Sequence, residues 1–343
     1  MTVTGKNQAP DGSDAAARAL LVLGQYRRLC RMADGICRVV PLKGVSLLQS
    51  VYSERLDRDA GDIDIMVIPA DKAEEFVGRL VGEGYRRQFP YLTDREAFVA
   101  KRKLALLSRN PLETDVDIHL DLVTKRFFRH HCGHFNRDAV ARCMASGAGE
   151  LCLDKTDEWL FLAQHACFHR FEEVKWLRDL SKVALTFSEE ETRCLSDRMK
   201  RYGMERIVRV SCNELARAGM FAPAEISAAP LSGVEKRFDR LADNILHRSH
   251  PRFMARIFAW QWEILCISTP AGRFRGFFRF VFPGQGDMKA IYRTRSVLKA
   301  NLLRVPHAVM AAVAVIFLQL YRIRSMPGGS RGPRPWKSGR KMN

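Results

Sequence analysis

The segment Asp62–Ile68, DIDIMVI, constrains this chain more than any other. It begins with polar and apolar residues in strict alternation and is rich in Ile and Val, which predicts a strand. Side chains on a strand alternate between faces, so Asp62 and Asp64 share one face while Ile63, Ile65 and Val67 take the other. The apolar face requires a core. The acidic face sets two carboxylates roughly 6–7 Å apart, and they repel unless a cation or solvent lies between them. Divalent-metal binding rewards such an arrangement, and Mg2+ takes a few carboxylates together with substrate phosphate oxygens. By itself, D-x-D also describes a strand whose acidic face is simply solvated.

Two further features bear on that choice. Thr114–Leu122, TDVDIHLDL, repeats the pattern, with Asp115, Asp117, His119 and Asp121 alternating with Val116, Ile118, Leu120 and Leu122. A third carboxylate from a neighbouring strand completes a two-metal clamp. Upstream, Val39–Leu42 reads as a short strand, with Pro41 placing it at a sheet edge or a strand end. Lys43-Gly44 follows, and the chain turns helical over Val45–Tyr52. A glycine permits close backbone approach, a helix start presents free N–H groups, and a lysine adds positive charge. A phosphate group needs all three. Pro69-Ala70-Asp71 is placed to cap a helix over Lys72–Glu83 that Gly84 ends, and Tyr85–Leu92, Lys103–Ser108 and Asp115–Leu122 read as further strands.

The order L-K-G, helix, arginine, G-D-I-D-I, then V-D-I-H resembles the nucleotidyltransferases of the DNA polymerase β-like superfamily. It is most similar to their bacterial branch of uncharacterised nucleotidyltransferases. The likeness runs more loosely into DEWLFLAQHACFHRFEEVKWLRDLSKV and covers about residues 15–185. It implies an α/β nucleotidyltransferase domain with a mixed sheet, followed by an all-α domain. Carried over residue by residue, it implies that Asp62 and Asp64 hold Mg2+ (or Mn2+) with a nucleoside triphosphate. Asp117 is then the third carboxylate, acting as base and metal ligand. Lys43, Gly44, Ser46 and Arg58 are implied as nucleotide-binding, with Val45-Ser46 standing where the wider superfamily carries its second small residue. Relatives of this branch accompany surface-polysaccharide or peptide-modification genes, so the acceptor class implied is a cell-surface polymer or a peptide. A toxin-like transferase acting on tRNA and a non-catalytic nucleotide-binding scaffold are the other two readings.

Several histidines bear on the same chemistry. His119 lies beside Asp117 on the strand face, placed to orient the carboxylate or to meet substrate. His165 and His169 stand i, i+4 on one helix face, which suits packing or a substrate-facing role. Asp179 reads as a helix-surface acid or a structural partner of Arg178 or a histidine. In RHHCGHF, Arg129–Phe135, adjacent histidines without a second ligand cluster read as a polar loop rather than a zinc site.

Past Leu151 the pattern is helical, over Asp154–Val183 and Glu190–Ala218, with a Pro/Ser/Ala-rich linker at Ala222–Gly233. The reading is helical again from Val234, with Gly and Pro breaks near Ser268–Gly276 and Pro283–Gly286. The expected organisation is a flexible leader over 1–13, a catalytic domain over 14–150 and a helical domain over 151–268. A basic, aromatic and apolar helical segment follows over 269–323, with a disordered basic tail over 324–343. Nine cysteines without C-x-x-C spacing read as reduced thiols, and the polar N-terminus lacks the apolar core of a secretory signal, which together fit a cytoplasmic protein.

The charge is uneven. Residues 270–343 hold fifteen Lys or Arg against the single acid Asp287, leaving only +4 of the total +18 on residues 1–269. A DNA-coating protein is a poor description of such a chain. Arg273–Phe282, RFRGFFRFVF, interleaves arginine with phenylalanine, and the apolar run Ala308–Leu320 falls short of a membrane span. The pattern points to peripheral attachment at an anionic membrane surface, with RNA as the second partner class. The oligomeric state is left open by the sequence.

Overall fold

In a computed structural model of the chain, residues 12–90, 92–124, 128, 132–145, 151–223, 262–267 and 269–283 are described, with short stretches between 288 and 309. The chain divides into two compact units, one formed by residues 1–122 with 140–153, the other by 123–139 with 154–343.

The first unit is built on a five-stranded mixed sheet of order β1-β2-β5-β4-β3. Helix α1 (Gly12–Ala33) opens it, burying Ala15, Ala19, Val22, Tyr26, Leu29 and Ala33 at helical spacing. Strand β1 (Arg38–Leu42) runs directly into α2 (Lys43–Gln49). It is an edge strand antiparallel to β2 (Asp62–Ile68), with Pro41 opposite Ile65, and an edge tolerates a residue that cannot donate to the ladder. A 3₁₀ turn at Ala70–Lys72 then leads into α3 (Ala73–Gly82). Asp71 was expected to cap that helix, but no side-chain cap bond is made at either start. Gly84, at φ +103, ends α3 as expected, and the Gly84 and Tyr85 N–H groups donate to Val81 and Leu80 carbonyls at 3.1 Å.

The strand expected over Tyr85–Leu92 shrinks to β3 (Arg86–Arg87). Gln88 still donates its N–H to the Ala105 carbonyl at 3.0 Å, and Phe89-Pro90 ends the pairing, because proline has no N–H and restricts the residue before it. Helix α4 (Asp94–Lys101) follows, a helix the hydrophobic pattern does not reveal. Its signal is the capping box, in which the Thr93 Oγ1 accepts from the Glu96 N–H while the Glu96 carboxylate accepts from the Thr93 N–H. Strands β4 (Lys103–Leu107) and β5 (Asp115–His119) pair antiparallel, while β2 and β5 pair parallel. Ile63, Ile65, Val67, Val116 and Ile118 are all buried, which is the apolar face the alternation predicts. Helix α5 (Gly133–Ala145), whose residues up to Ala139 belong to the second unit, starts within the segment expected to be a polar loop. Cys132 and Phe135 are buried there, and the Cys132 thiol donates to the Tyr202 carbonyl at 3.0 Å. His130 and His131 lie outside the described residues.

The second unit is helical. The two long patterns each divide: α6 (Lys155–Phe168) and α7 (Val174–Leu185) separate at Arg170 and Phe171, both at positive φ. Helices α8 (Glu189–Arg201) and α9 (Glu205–Arg217) separate at Gly203, φ +63. Asp154 caps α6, its Oδ1 accepting from the Thr156 and Asp157 N–H groups. Helix α6 is the centre of this unit, buried along most of its length and packed against α7, α8 and α9. Its Trp159 donates Nε1–H to the Leu180 carbonyl at 3.0 Å. Asp179, read as either a helix-surface acid or a structural partner, is buried, which excludes the first of these.

Of the Pro and Gly breaks expected near Ser268–Gly276, the proline opens helix α10 (Pro270–Val281), which then runs on through Gly272 and Gly276. Pro270 takes the first helical position, which proline favours, and the Thr269 Oγ1 accepts from the Gly272 N–H at 3.2 Å. A short helix, α11 (Val297–Leu302), is capped by Ser296. The linker expected at Ala222–Gly233 (beyond Pro223), the expected apolar run over 308–320 (Val309 apart) and the basic tail lie outside the described residues. All nine cysteines are free thiols.

Candidate active site

Strand alternation puts acids on one face of β2 and of β5 separately, and only the pairing decides whether they meet. The parallel register sets Asp62 opposite Asp115, Asp64 opposite Asp117 and Met66 opposite His119. Residues paired in this way share a face, so a single acidic face crosses both central strands.

Asp64 is the best-held member, with 2 % of its surface exposed. Its Oδ1 accepts from the Lys43 Nζ at 2.7 Å and lies 2.8 Å from the His119 Nε2. The sheet brings Lys43 there because its neighbour Leu42 is the β1 residue paired with Asp64. Lys43 itself has φ +46, an uncommon conformation for a side chain other than glycine, costing of order 1 kcal/mol or more. That single residue turns the chain from β1 into α2. The Nε2 of His119 donates to Asp64 when it carries the proton; its buried Nδ1 has no hydrogen-bond partner among the described residues.

Lys103 is a site residue that the sequence reading did not single out. It opens β4 with His119 as its partner across the ladder, and its Nζ bonds the Asp117 Oδ2. One ligand atom each from Asp64, Asp117 and His119 lie within 4.8 Å of one another, and among the described residues this is the group able to hold a cation. The Asp62 carboxylate stands outside it, exposed at the start of β2.

The charges explain how three acids coexist. Burial pushes the Asp64 carboxyl up, but Lys43 and His119 overcome it and hold it well below the usual carboxylate range. At Asp62, exposed on its outer side, partial loss of water on the side facing the site and then the Asp64 charge raise the pKa, with Lys43 opposing. Burial works against charged Lys103, yet Asp117, Asp64 and Asp62 raise its pKa above that of an ordinary lysine. The carboxylate donor set suits a hard divalent cation, and the raised Asp62 marks a crowding of negative charge that such a cation relieves.

Gly44 is required, but not only for the reason expected. A Cβ built on it would stand 2.7 Å from the Arg58 Nη1 and 3.0 Å from the Ala60 Cβ. The glycine therefore admits the buried Arg58 guanidinium against the start of α2. Gly44→Ala is expected to destabilise the first unit by about 1–2 kcal/mol, overpacking outweighing the helix-propensity gain. Thermal unfolding with an unchanged midpoint would contradict this packing account. Ser46 is buried within α2.

The remaining residues divide between the two units. Asp121 does not extend the acidic face. β5 ends at His119, and Arg102, itself at φ +55, clamps Asp121 through its Nε and its Nη2, the latter at 3.2 Å. Asp115 is exposed, its Oδ1 accepting from the Ser108 N–H at 3.1 Å. His165 and His169 belong to the helical unit, where their rings and Trp176 form a cluster with centroids 4.6–5.3 Å apart, which supports a packing role.

The sequence model of a family described as an uncharacterised nucleotidyltransferase matches residues 11–217. No curated protein and no solved structure matches the chain.

Proposed function

The chain belongs to the uncharacterised nucleotidyltransferase family, and from that premise we propose that it transfers a nucleoside monophosphate from a nucleoside triphosphate to an acceptor hydroxyl or phosphate. The observation that carries this reading is the in-register pair Asp64 and Asp117 on neighbouring parallel strands, with His119 alongside. Asp64 and Asp117 are assigned to hold Mg2+ or Mn2+, with Asp62, which stands outside that cluster on the same face, as a third ligand that closes on the ion when it binds. Such an ion, when bound, neutralises triphosphate charge and eases ionisation of the acceptor hydroxyl. Nucleotidyl transfer consists mostly of positioning and charge stabilisation, so few other groups are needed. Lys43, which precedes Gly44, and Arg58, whose guanidinium packs beside it, are assigned cationic contacts to phosphate, with Ser46 in the same short helix. Asp117 takes the acceptor proton, and His119 fixes the orientation of Asp64. These roles belong to a catalytic domain over 14–150 followed by a helical domain over 151–268. The acceptor class proposed is a cell-surface polymer precursor or a peptide.

The test is incubation of the full chain with Mg2+, nucleoside triphosphates labelled at the α-phosphate, and cell extract. Label on an acceptor, dependent on Mg2+ and accompanied by pyrophosphate, is the expected result. Absence of both label transfer and Mg2+-dependent nucleotide binding would sink the proposal.

One observation favours a second reading, a scaffold that binds nucleotide without turnover: Lys43 and Lys103 already pair with Asp64 and Asp117. That reading requires Mg2+-dependent nucleotide binding with no labelled product in any extract.

The raised pKa of Asp62 adds a pH dependence. A proton on this carboxyl competes with the cation, so Mn2+ affinity should fall as pH is lowered. The fall should begin above the range near 3.9 where an ordinary aspartate titrates. Affinity that stays flat down to that range would show that Asp62 takes no part.

A further inference from the structure

Helix α10 carries its apolar side chains in two opposed groups. Gly276 and Phe280 are buried. Phe274, Phe277, Phe278 and Val281 follow i, i+3, i+4, i+7 spacing and share another face. On that face Phe274 is 70 % exposed, Phe278 55 % and Phe277 39 %, and Phe282 just beyond the helix is 57 % exposed. A soluble surface tolerates single exposed phenylalanines, but four on three turns form a patch that calls for an occupant. Arg275 and Arg279, both exposed, lie on the same helix, and no acid occurs from Pro270 to Gly286.

We propose that α10 is a membrane-surface helix. It lays Phe274, Phe277, Phe278 and Phe282 into the headgroup and acyl boundary of an anionic bilayer, with Arg275 and Arg279 against lipid phosphates. Three observations select this occupant. The charge is complementary, fifteen basic residues against one acid over 270–343. The geometry is that of an interfacial helix, an aromatic stripe beside arginines on twelve residues. Among the described residues no helix is long and apolar enough to cross a membrane, so α10 lies on the surface rather than spanning it. RNA fits less well. Nucleobases need separated ring faces on which to stack, whereas the Phe278 and Phe282 rings pack on each other with centroids 4.9 Å apart at 42°. The inference is independent of the proposed transfer chemistry and stands or falls on the helix alone.

The experiment uses the full chain and vesicles of phosphatidylcholine alone or mixed with phosphatidylglycerol, with flotation as the readout. Wild-type protein should float with the mixed vesicles and not with the neutral ones, and added salt should weaken the association. Arg275→Glu with Arg279→Glu should weaken partition by at least about thirtyfold. Phe274→Ser, Phe277→Ser and Phe278→Ser together should weaken it about a hundredfold, and exposure of these rings keeps the fold intact. Phe278→Trp should show a blue-shifted emission on the mixed vesicles, reporting insertion of that position. Equal flotation with both vesicle types would overturn the proposal, as would no flotation with either. RNA retention lost in the same variants, without vesicle binding, would transfer the helix to RNA and equally overturn it.

Discussion

Asp64→Asn should cut nucleotidyl transfer by roughly three orders of magnitude while leaving a folded protein. Asparagine keeps the shape and still offers an oxygen to the Lys43 amine, but it removes the charge that Lys43 and His119 hold in place. Asp117→Asn should lose activity to a similar degree. Asp115→Asn supplies the contrast. It is on the same acidic face yet exposed and bonded to the Ser108 N–H, so activity should stay within a few-fold of wild type. The rate of label transfer in the three variants, with thermal unfolding as the control, checks this ordering. An Asp64→Asn enzyme that keeps wild-type turnover would remove the acid pair from the chemistry.

The second large effect concerns stability. Lys43→Met leaves the buried Asp64 carboxylate with His119 as its remaining described partner. Breaking a buried ion pair from one side costs about 3 kcal/mol or more. The pH dependence has a definite sign. Because the folded-state pKa of Asp64 is lowered, its stabilising contribution is present above the ordinary carboxylate range and is lost as pH falls below it. The deficit of Lys43→Met should therefore be greatest near neutrality and shrink in acid. Adding Asp64→Asn should restore much of the loss at neutral pH, since charge and countercharge then leave together. Denaturant unfolding of the two single variants and the double variant at two pH values measures this coupling. Simple additivity would show that the pair does not act as a unit.

How far the sequence exposes this architecture depends on whether a feature is local. DIDIMVI is a strand because its alternation is local, and β2 has the bounds that alternation gives. Helix α4 carries its signal in the capping pair Thr93 and Glu96 rather than in hydrophobic spacing, so periodicity alone passes over it. The first long helical stretch reads as a single element because the backbone reversals at Arg170 and Phe171 occur at residues with no turn preference, whereas Gly203 marks the break in the second. In the site, alternation places Asp62 and Asp64 on one face, and Asp115, Asp117 and His119 on another. That the two faces are one depends on the parallel register of β2 with β5, which is a tertiary fact. Lys103 was missed for the same reason: its closeness to Asp117 follows from the antiparallel pairing of β4 with β5. Gly44 was legible as a position needing a small residue, but the group that needs the room, Arg58, comes from a loop fourteen residues on.

The central claim is that Asp64 and Asp117 together hold a cation for a nucleotide. Titration of the full chain with Mn2+ in the presence of a non-hydrolysable nucleoside triphosphate, followed by electron paramagnetic resonance, tests it without relying on turnover. The account predicts bound Mn2+ in the wild type, and its loss in both Asp64→Asn and Asp117→Asn with Asp115→Asn unaffected. Wild-type protein that binds no Mn2+, or variants that bind it as tightly as wild type, would contradict the account.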